Sequence, residues 1–151
     1  MKLTTYTDFG LRTLMYLATL PEGELTSVAH VSEVYQISRN HLVKVVNQLA
    51  REGYIRAVRG KNGGICLARP QADINVGQVI RSLENNLNGI DCGSPACYLV
   101  RVCRLKDALK LAMEAFLQVM DGYTLADLTD NRDELMVIFS ELEPAKVVNL
   151  K

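Results

Sequence analysis

Ser38-Arg39-Asn40-His41-Leu42-Val43-Lys44-Val45-Val46-Asn47-Gln48-Leu49-Ala50-Arg51, followed by the segment Glu52-Gly53-Tyr54-Ile55-Arg56-Ala57-Val58-Arg59-Gly60-Lys61-Asn62-Gly63-Gly64-Ile65-Cys66-Leu67-Ala68, decides the fold. Ser38 is a good N-cap, and Leu42, Val45, Val46 and Leu49 then recur at i, i+3, i+4 and i+7, the spacing of one buried helix face. Asn40, Lys44, Asn47 and Arg51 fall on the opposite side. Gly53 ends the helix. Two short strand-like runs, Tyr54 to Arg59 and Ile65 to Ala68, flank the turn Gly60-Lys61-Asn62-Gly63-Gly64, which predicts a β-hairpin closed by Pro70.

Working upstream, a helix is predicted from Asp8 to Leu20, capped by Thr7 and carrying Leu11, Leu14, Met15, Leu17 and Ala18. Pro21-Glu22-Gly23 stops it. A second helix runs from about Ser27 to Tyr35, with Thr26 as its cap and Val28, Val31 and Val34 facing inward, and a short turn at Gln36-Ile37 leads into Ser38. Helix, helix, tight turn, helix and basic hairpin is the order of a winged helix-turn-helix, in which the third helix offers its N-terminal residues to the major groove. Those residues are Ser38, Arg39, Asn40 and His41, with Lys44 one turn on. Arg can take guanine O6 and N7 together, Asn can do the same for adenine N6 and N7, and Ser offers a hydrogen bond to phosphate or base. In the wing, Arg59, Lys61 and Asn62 sit on a turn whose glycines allow close approach to phosphates or the minor groove.

Charge agrees with this reading. The 151 residues carry no formal net charge, yet residues 1–70 stand at +4 and residues 71–151 at −4. Within 36–69 there are seven Lys or Arg and the single acid Glu52, the footprint of a phosphate-binding surface. Two enzyme motifs fail. Asp8-Phe9-Gly10 matches the kinase metal-binding tripeptide, but the His-Arg-Asp loop is missing, and Gly60 to Gly64 lacks the Gly-Lys-Ser/Thr ending of a phosphate-binding loop. The N-terminus has no apolar targeting segment and no apolar run approaches a membrane span, so a soluble, cytoplasmic protein with no membrane partner is expected.

Downstream, Asn75 starts a short helix carrying Val76, Val79, Ile80 and Leu83, which runs out at Asn85-Asn86. Leu87 to Val102 reads as a loop. Arg104 to Met120 is a long helix in which Leu105, Ala108, Leu109, Ala112, Phe116, Val119 and Met120 form an apolar stripe, widened by Leu111, Ala115 and Leu117. That is more apolar surface than one core contact needs, which suggests packing on a partner as well. Thr124 can cap one more short helix, Asp133 to Leu142 forms another, and residues from Glu143 onward read as a loose tail. The expected fold is mainly α: a winged helix-turn-helix DNA-binding domain with a two-stranded β-wing over 1–75, a connecting helix and cysteine loop over 76–103, a long dimerisation helix with C-terminal helices over 104–142, and the tail 143–151.

In a reducing compartment, clustered cysteines point to metal or redox chemistry rather than to a disulfide framework. Cys92-x4-Cys97-x5-Cys103 places three soft ligands within twelve residues, suited to zinc, copper(I) or an iron–sulfur cluster. Structural zinc sites more usually show paired Cys-x2-4-Cys spacings with a local fourth ligand. Arg101, Arg104 and Lys106 lie close enough in sequence to offset thiolate charge. Cys66, on a wing strand, is read as a bystander, and His30 as a surface residue.

Taken together, these residues resemble the NsrR repressors, nitric-oxide-responsive members of a larger iron–sulfur winged-helix family that also includes the IscR regulators. The resemblance spans about residues 1–142. It rests on Leu3-Thr4-x-x-Thr7-Asp8-Phe9-Gly10-Leu11-Arg12, on Ser38 to Lys44, on Val58 to Gly64, on the three cysteines and on Tyr123-Thr124-Leu125-Ala126-Asp127-Leu128. It implies a homodimer joined through the long helix, and an iron–sulfur cluster held by Cys92, Cys97 and Cys103, with 4Fe-4S ahead of 2Fe-2S. It further implies Asp8 of the other subunit as a fourth ligand, a palindromic operator in double-stranded DNA, and nitric oxide as the signal that ends repression of detoxification genes. Without the resemblance, Asp8 is simply an acid in a helix's first turn. IscR-like proteins carry a histidine three residues after the last cysteine, where this chain has Lys106. Alternatives are an IscR-like regulator sensing cluster supply or redox state, a non-DNA-binding cluster carrier, and a zinc-stabilised module.

Overall fold

A computed structural model describes residues 2–142, and the expected tail at 143–151 lies outside the described residues. Among the described residues, six helices and one two-stranded sheet follow in the order α1 (Thr5–Thr19), α2 (Val28–Val34), α3 (Arg39–Arg51), β1 (Ile55–Val58), β2 (Gly64–Leu67), α4 (Val76–Leu83), α5 (Arg104–Asp121) and α6 (Arg132–Leu142). Single 3-10 turns at Gln71–Asp73 and Asp127–Thr129 complete it. The mainly helical winged helix-turn-helix is therefore present. The antiparallel wing pairs Ile55 with Leu67 and Val58 with Gly64.

Two helix starts differ from the sequence reading. α1 is capped by Thr4, whose hydroxyl accepts from Thr7 N–H at 3.3 Å, while Thr7 itself is fully buried inside the helix. α2 is capped by Ser27, which accepts from His30 N–H at 3.0 Å. Thr26 is not available for capping geometry because its backbone pairs with β2, donating to Ile65 O at 3.1 Å and accepting from Ile65 N–H at 2.7 Å. A long-range strand contact thus moves the cap by one residue.

The main core forms where α1 crosses α3 and α4. Leu14, Val31, Leu42, Val45, Leu49 and Val79 are fully buried there, each contributing about 1.5–3 kcal/mol through removal from water. Gly10 explains part of the Asp-Phe-Gly tripeptide: a Cβ at that position would overlap Leu83 Cδ1, so glycine lets α1 and α4 cross closely without the buried Leu83 side chain having to move. The four apolar residues predicted for α4 are all buried.

A second cluster, Val76, Ile80 and Leu117, fastens α5 onto α4. Backbone bonds from Val76 N–H to Tyr123 O (3.0 Å) and from Leu125 N–H to Ile74 O (2.8 Å) fix the end of α5, as does the bidentate pair of Arg81 with Asp121. On α5, Met113 and Leu117 turn inward. Leu117, read from sequence as surplus apolar surface, is thus a core residue. Leu105, Leu111 and Val119 are 59%, 65% and 62% exposed, so a broad apolar face of this helix is left without a partner among the described residues. No helix among the described residues is long and apolar enough to cross a membrane.

Candidate nucleic-acid interface and cysteine loop

The presentation of α3 begins in the turn before it. Gln36 adopts a left-handed backbone (φ 53°), and α2 ends in a pair of reversed bonds, Gln36 N–H to Glu33 O at 3.1 Å and Ile37 N–H to Ser32 O at 2.9 Å. This is a Schellman ending, which satisfies the last carbonyls of α2 and turns the chain sharply toward Ser38. Ser38 takes the N-cap position of α3 without a side-chain capping bond, so its hydroxyl is left exposed.

From the inner side, Tyr6 of α1 places its hydroxyl 3.0 Å from Lys44 O and 2.8 Å from Gln48 Oε1. Gln48 Nε2 in turn donates to Ser82 O at the end of α4, at 2.5 Å. α3 is therefore clamped between α1 and α4 by polar contacts in addition to its apolar face. Burial raises the Tyr6 phenol above its usual pKa, opposed by the nearby Arg51, so the hydroxyl remains a donor throughout the neutral range. Neither Tyr6 nor Gln48 was singled out from sequence. Their roles depend on contacts 38 to 42 residues apart, which no local pattern carries.

On the outer side, Ser38, Arg39, Asn40, His41 and Lys44 are all exposed, as are Arg59, Lys61 and Asn62 of the wing. No hydrogen bond or ion pair among the described residues uses the side chains of these eight. The wing turn is closed by Gly63 N–H to Gly60 O at 3.0 Å. Gly63 is needed for this closure, since a Cβ there would overlap the backbone oxygen of Val58. That glycine serves the turn's own packing, a constraint the sequence reading had placed only on approach to nucleic acid. The surface is thus a helix N-terminus and a hairpin tip carrying spare donors and positive charge, the complement of a phosphate backbone and base edges.

His30 is not a bare surface residue: its Nε2 lies 2.9 Å from the hydroxyl of the buried Tyr16, beside the aromatic contacts of Tyr16, Tyr35 and Phe139. Cys66 is also more than a bystander in packing terms, being 3% exposed with its sulfur 3.4 Å from Arg56 Nη2.

The cysteine loop joins α4 to α5. Cys92, Cys97 and Cys103 are half-buried free thiols, with Cys97 N–H bonded to Cys92 O at 3.1 Å. Cys103 caps α5, its sulfur accepting from Lys106 N–H at 3.4 Å, at a helix end where negative charge is favoured. Tyr98, Leu99 and Val102 between them are 99%, 63% and 78% exposed. Asp8 is held by Arg12, Oδ1 to Nε at 2.9 Å, one helical turn away. Among the described residues, no three His, Cys, Asp or Glu side chains are gathered into a group that could hold a metal ion. In donor chemistry the three thiols fit an iron–sulfur cluster, since they are soft ligands on one loop and the third sits at a helix N-terminus.

Comparison with known proteins is consistent with this arrangement. IscR of T. potens is 27% identical with a TM-score of 0.71, over 89% of this chain and 90% of that one. The oxidized form of Staphylococcus aureus CymR is 29% identical with a TM-score of 0.68, over 85% of this chain and 95% of that one. CymR of B. subtilis, described as its global cysteine regulator, shares the fold at 24% identity and a TM-score of 0.68, over 87% of this chain and 98% of that one. Residues 3–131 match the model of the Rrf2 family, described as an iron-dependent transcriptional regulator. With its winged helix accounted for and nearly all of its described length matched, the chain belongs to the Rrf2 family of transcriptional regulators.

Proposed function

We propose that this protein is a dimeric, cytoplasmic transcriptional repressor that reads a palindromic operator and senses nitric oxide through an iron–sulfur cluster. The observation that carries the reading is the position of the three thiols: Cys92, Cys97 and Cys103 lie on the loop that ends in α5, and Cys103 forms the N-terminus of that helix. In this proposal those residues hold the cluster, as 4Fe-4S, with Asp8 of the partner subunit as the fourth ligand. When bound, the cluster supplies the iron that reacts with nitric oxide.

The chain's own residues do the rest. The exposed Leu105, Leu111 and Val119 on α5 offer the apolar face on which two copies join. To serve as the fourth ligand, Asp8 at the start of α1 has to leave its pair with Arg12 and face the other copy's cysteine loop. Movement at the start of α1 reaches the reading helix through Tyr6, which touches both Lys44 and Gln48. Ser38, Arg39, Asn40, His41 and Lys44 meet the major groove, and Arg59, Lys61 and Asn62 meet the flanking backbone or minor groove. Two recognition helices related by a two-fold axis would then lie about 34 Å apart, one turn of DNA.

Likeness to IscR supports a second reading, in which the same site reports cluster supply rather than nitric oxide. Lys106, standing where IscR-like proteins carry a histidine, favours the first. Gel-shift titration at fixed salt separates them: release of the operator by nitric oxide, and not by iron depletion alone, supports the nitric-oxide reading.

A further inference from the structure

We propose that the cavity between the C-terminal end of α1, the wing sheet and the start of α6 is a binding site for a small monoanionic carboxylate with an apolar body. The cavity measures about 570 Å³, within the range of small-molecule sites. Its apolar wall comes from Leu17, Leu20 and Leu67, and its polar wall from three guanidinium groups, Arg56, Arg69 and Arg132.

Two of these groups are fixed by bonds to neutral carbonyls. Arg69 donates to Gly53 O at 2.9 Å and to Glu52 O at 3.1 Å, and its guanidinium lies over the Tyr54 ring at 4.9 Å. Arg132 donates twice to Thr19 O, at 2.9 and 2.7 Å. Arg56 makes only the 3.4 Å contact with Cys66 sulfur. None of the ion pairs among the described residues involves any of the three. Each guanidinium has five N–H donors, so positive charge and spare donors remain, with those of Arg69 and Arg132 held in place before any ligand arrives. Glu22 and Glu24 also line the cavity and are exposed, which leaves a single excess positive charge and disfavours a dianion. Because Cys66 and Leu67 of β2 form part of the wall, an occupant would rest directly against the strand that carries the wing.

The test is a set of 1H–15N titrations of the full chain with benzoate, its neutral isostere benzamide, and inorganic phosphate. Benzoate is expected to give saturable shifts at the amides of 17–24, 56 and 66–71. Benzamide should bind about ten-fold more weakly, as the charge-assisted bonds are lost. Arg56→Gln and Arg132→Gln should each weaken benzoate by a similar factor, and Arg56 holds no backbone carbonyl, so its variant leaves the fold intact. Absence of saturable shifts, an equal response to benzamide, or benzoate affinity unchanged in both variants overturns the site. Phosphate shifting the same amides as strongly as benzoate overturns the monoanion assignment.

Discussion

Tyr6 and Gln48, from the first and third helices, meet through a hydroxyl-to-amide-oxygen hydrogen bond of 2.8 Å, and the other end of the Gln48 amide donates to Ser82 O. This pair ties the position of α3 to the start of α1. Tyr6→Phe removes the donor and keeps the ring. It should cost about 0.5–1.5 kcal/mol in urea unfolding, with operator affinity lowered and cluster content unchanged. A variant with normal affinity would mean that α3 is placed by its apolar face alone.

On the outer face, Arg39→Ala and Asn40→Ala should leave the unfolding midpoint within error, because both side chains are exposed. Each should lose about 1–3 kcal/mol of operator binding and relax the sequence preference at one position per half-site. Lys61→Ala should act differently, weakening all sequences alike and lowering the slope of affinity against salt by about one per subunit. Fluorescence anisotropy on the operator and on scrambled DNA distinguishes the two behaviours.

The third helix and the wing hairpin were legible in sequence because their signals are local: the i, i+3, i+4, i+7 stripe of α3 and the Gly-rich wing turn each lie within one element. What was not legible depends on distant partners. Thr26 looked like a cap, and Ser27 became one because Thr26 is taken up by Ile65 across the wing. Leu117 belonged equally to either side of an amphipathic helix until α4 claimed it. Gln36 carries no residue-type signal for its left-handed backbone, which is usually left to glycine or asparagine. The cysteines were found by spacing, but spacing says nothing of how the thiols are oriented, and among the described residues the three are not gathered into a group that could hold a metal ion.

The two faces of α5 should respond in opposite ways to substitution. Leu111→Glu, on the exposed face, should shift the protein from dimer to monomer in sedimentation with little change in monomer folding. Leu117→Ala, at 8% exposure, should instead cost about 2–5 kcal/mol of stability. A monomeric wild-type chain, or a Leu111→Glu variant that stays dimeric, would count against the interface.

Asp121 is paired with Arg81, whose guanidinium holds its carboxyl below the ordinary carboxylate pKa. A depressed folded-state pKa stabilises the protein above the unfolded value of about 3.9, and that contribution disappears as pH falls through the folded value. The difference in melting temperature between the wild type and Asp121→Asn should therefore be largest at neutral pH and shrink below about pH 4. A difference that grew on acidification would show that the pair does not strap α5 to α4.

Operator binding by anaerobically purified protein, followed by gel shift before and after stoichiometric nitric oxide with visible absorption recorded on the same samples, tests the central claim most directly. The account predicts coloured protein containing iron and sulfide that binds its operator and releases it when nitric oxide changes the spectrum. Colourless protein, or operator binding indifferent to nitric oxide while the spectrum changes, would contradict it.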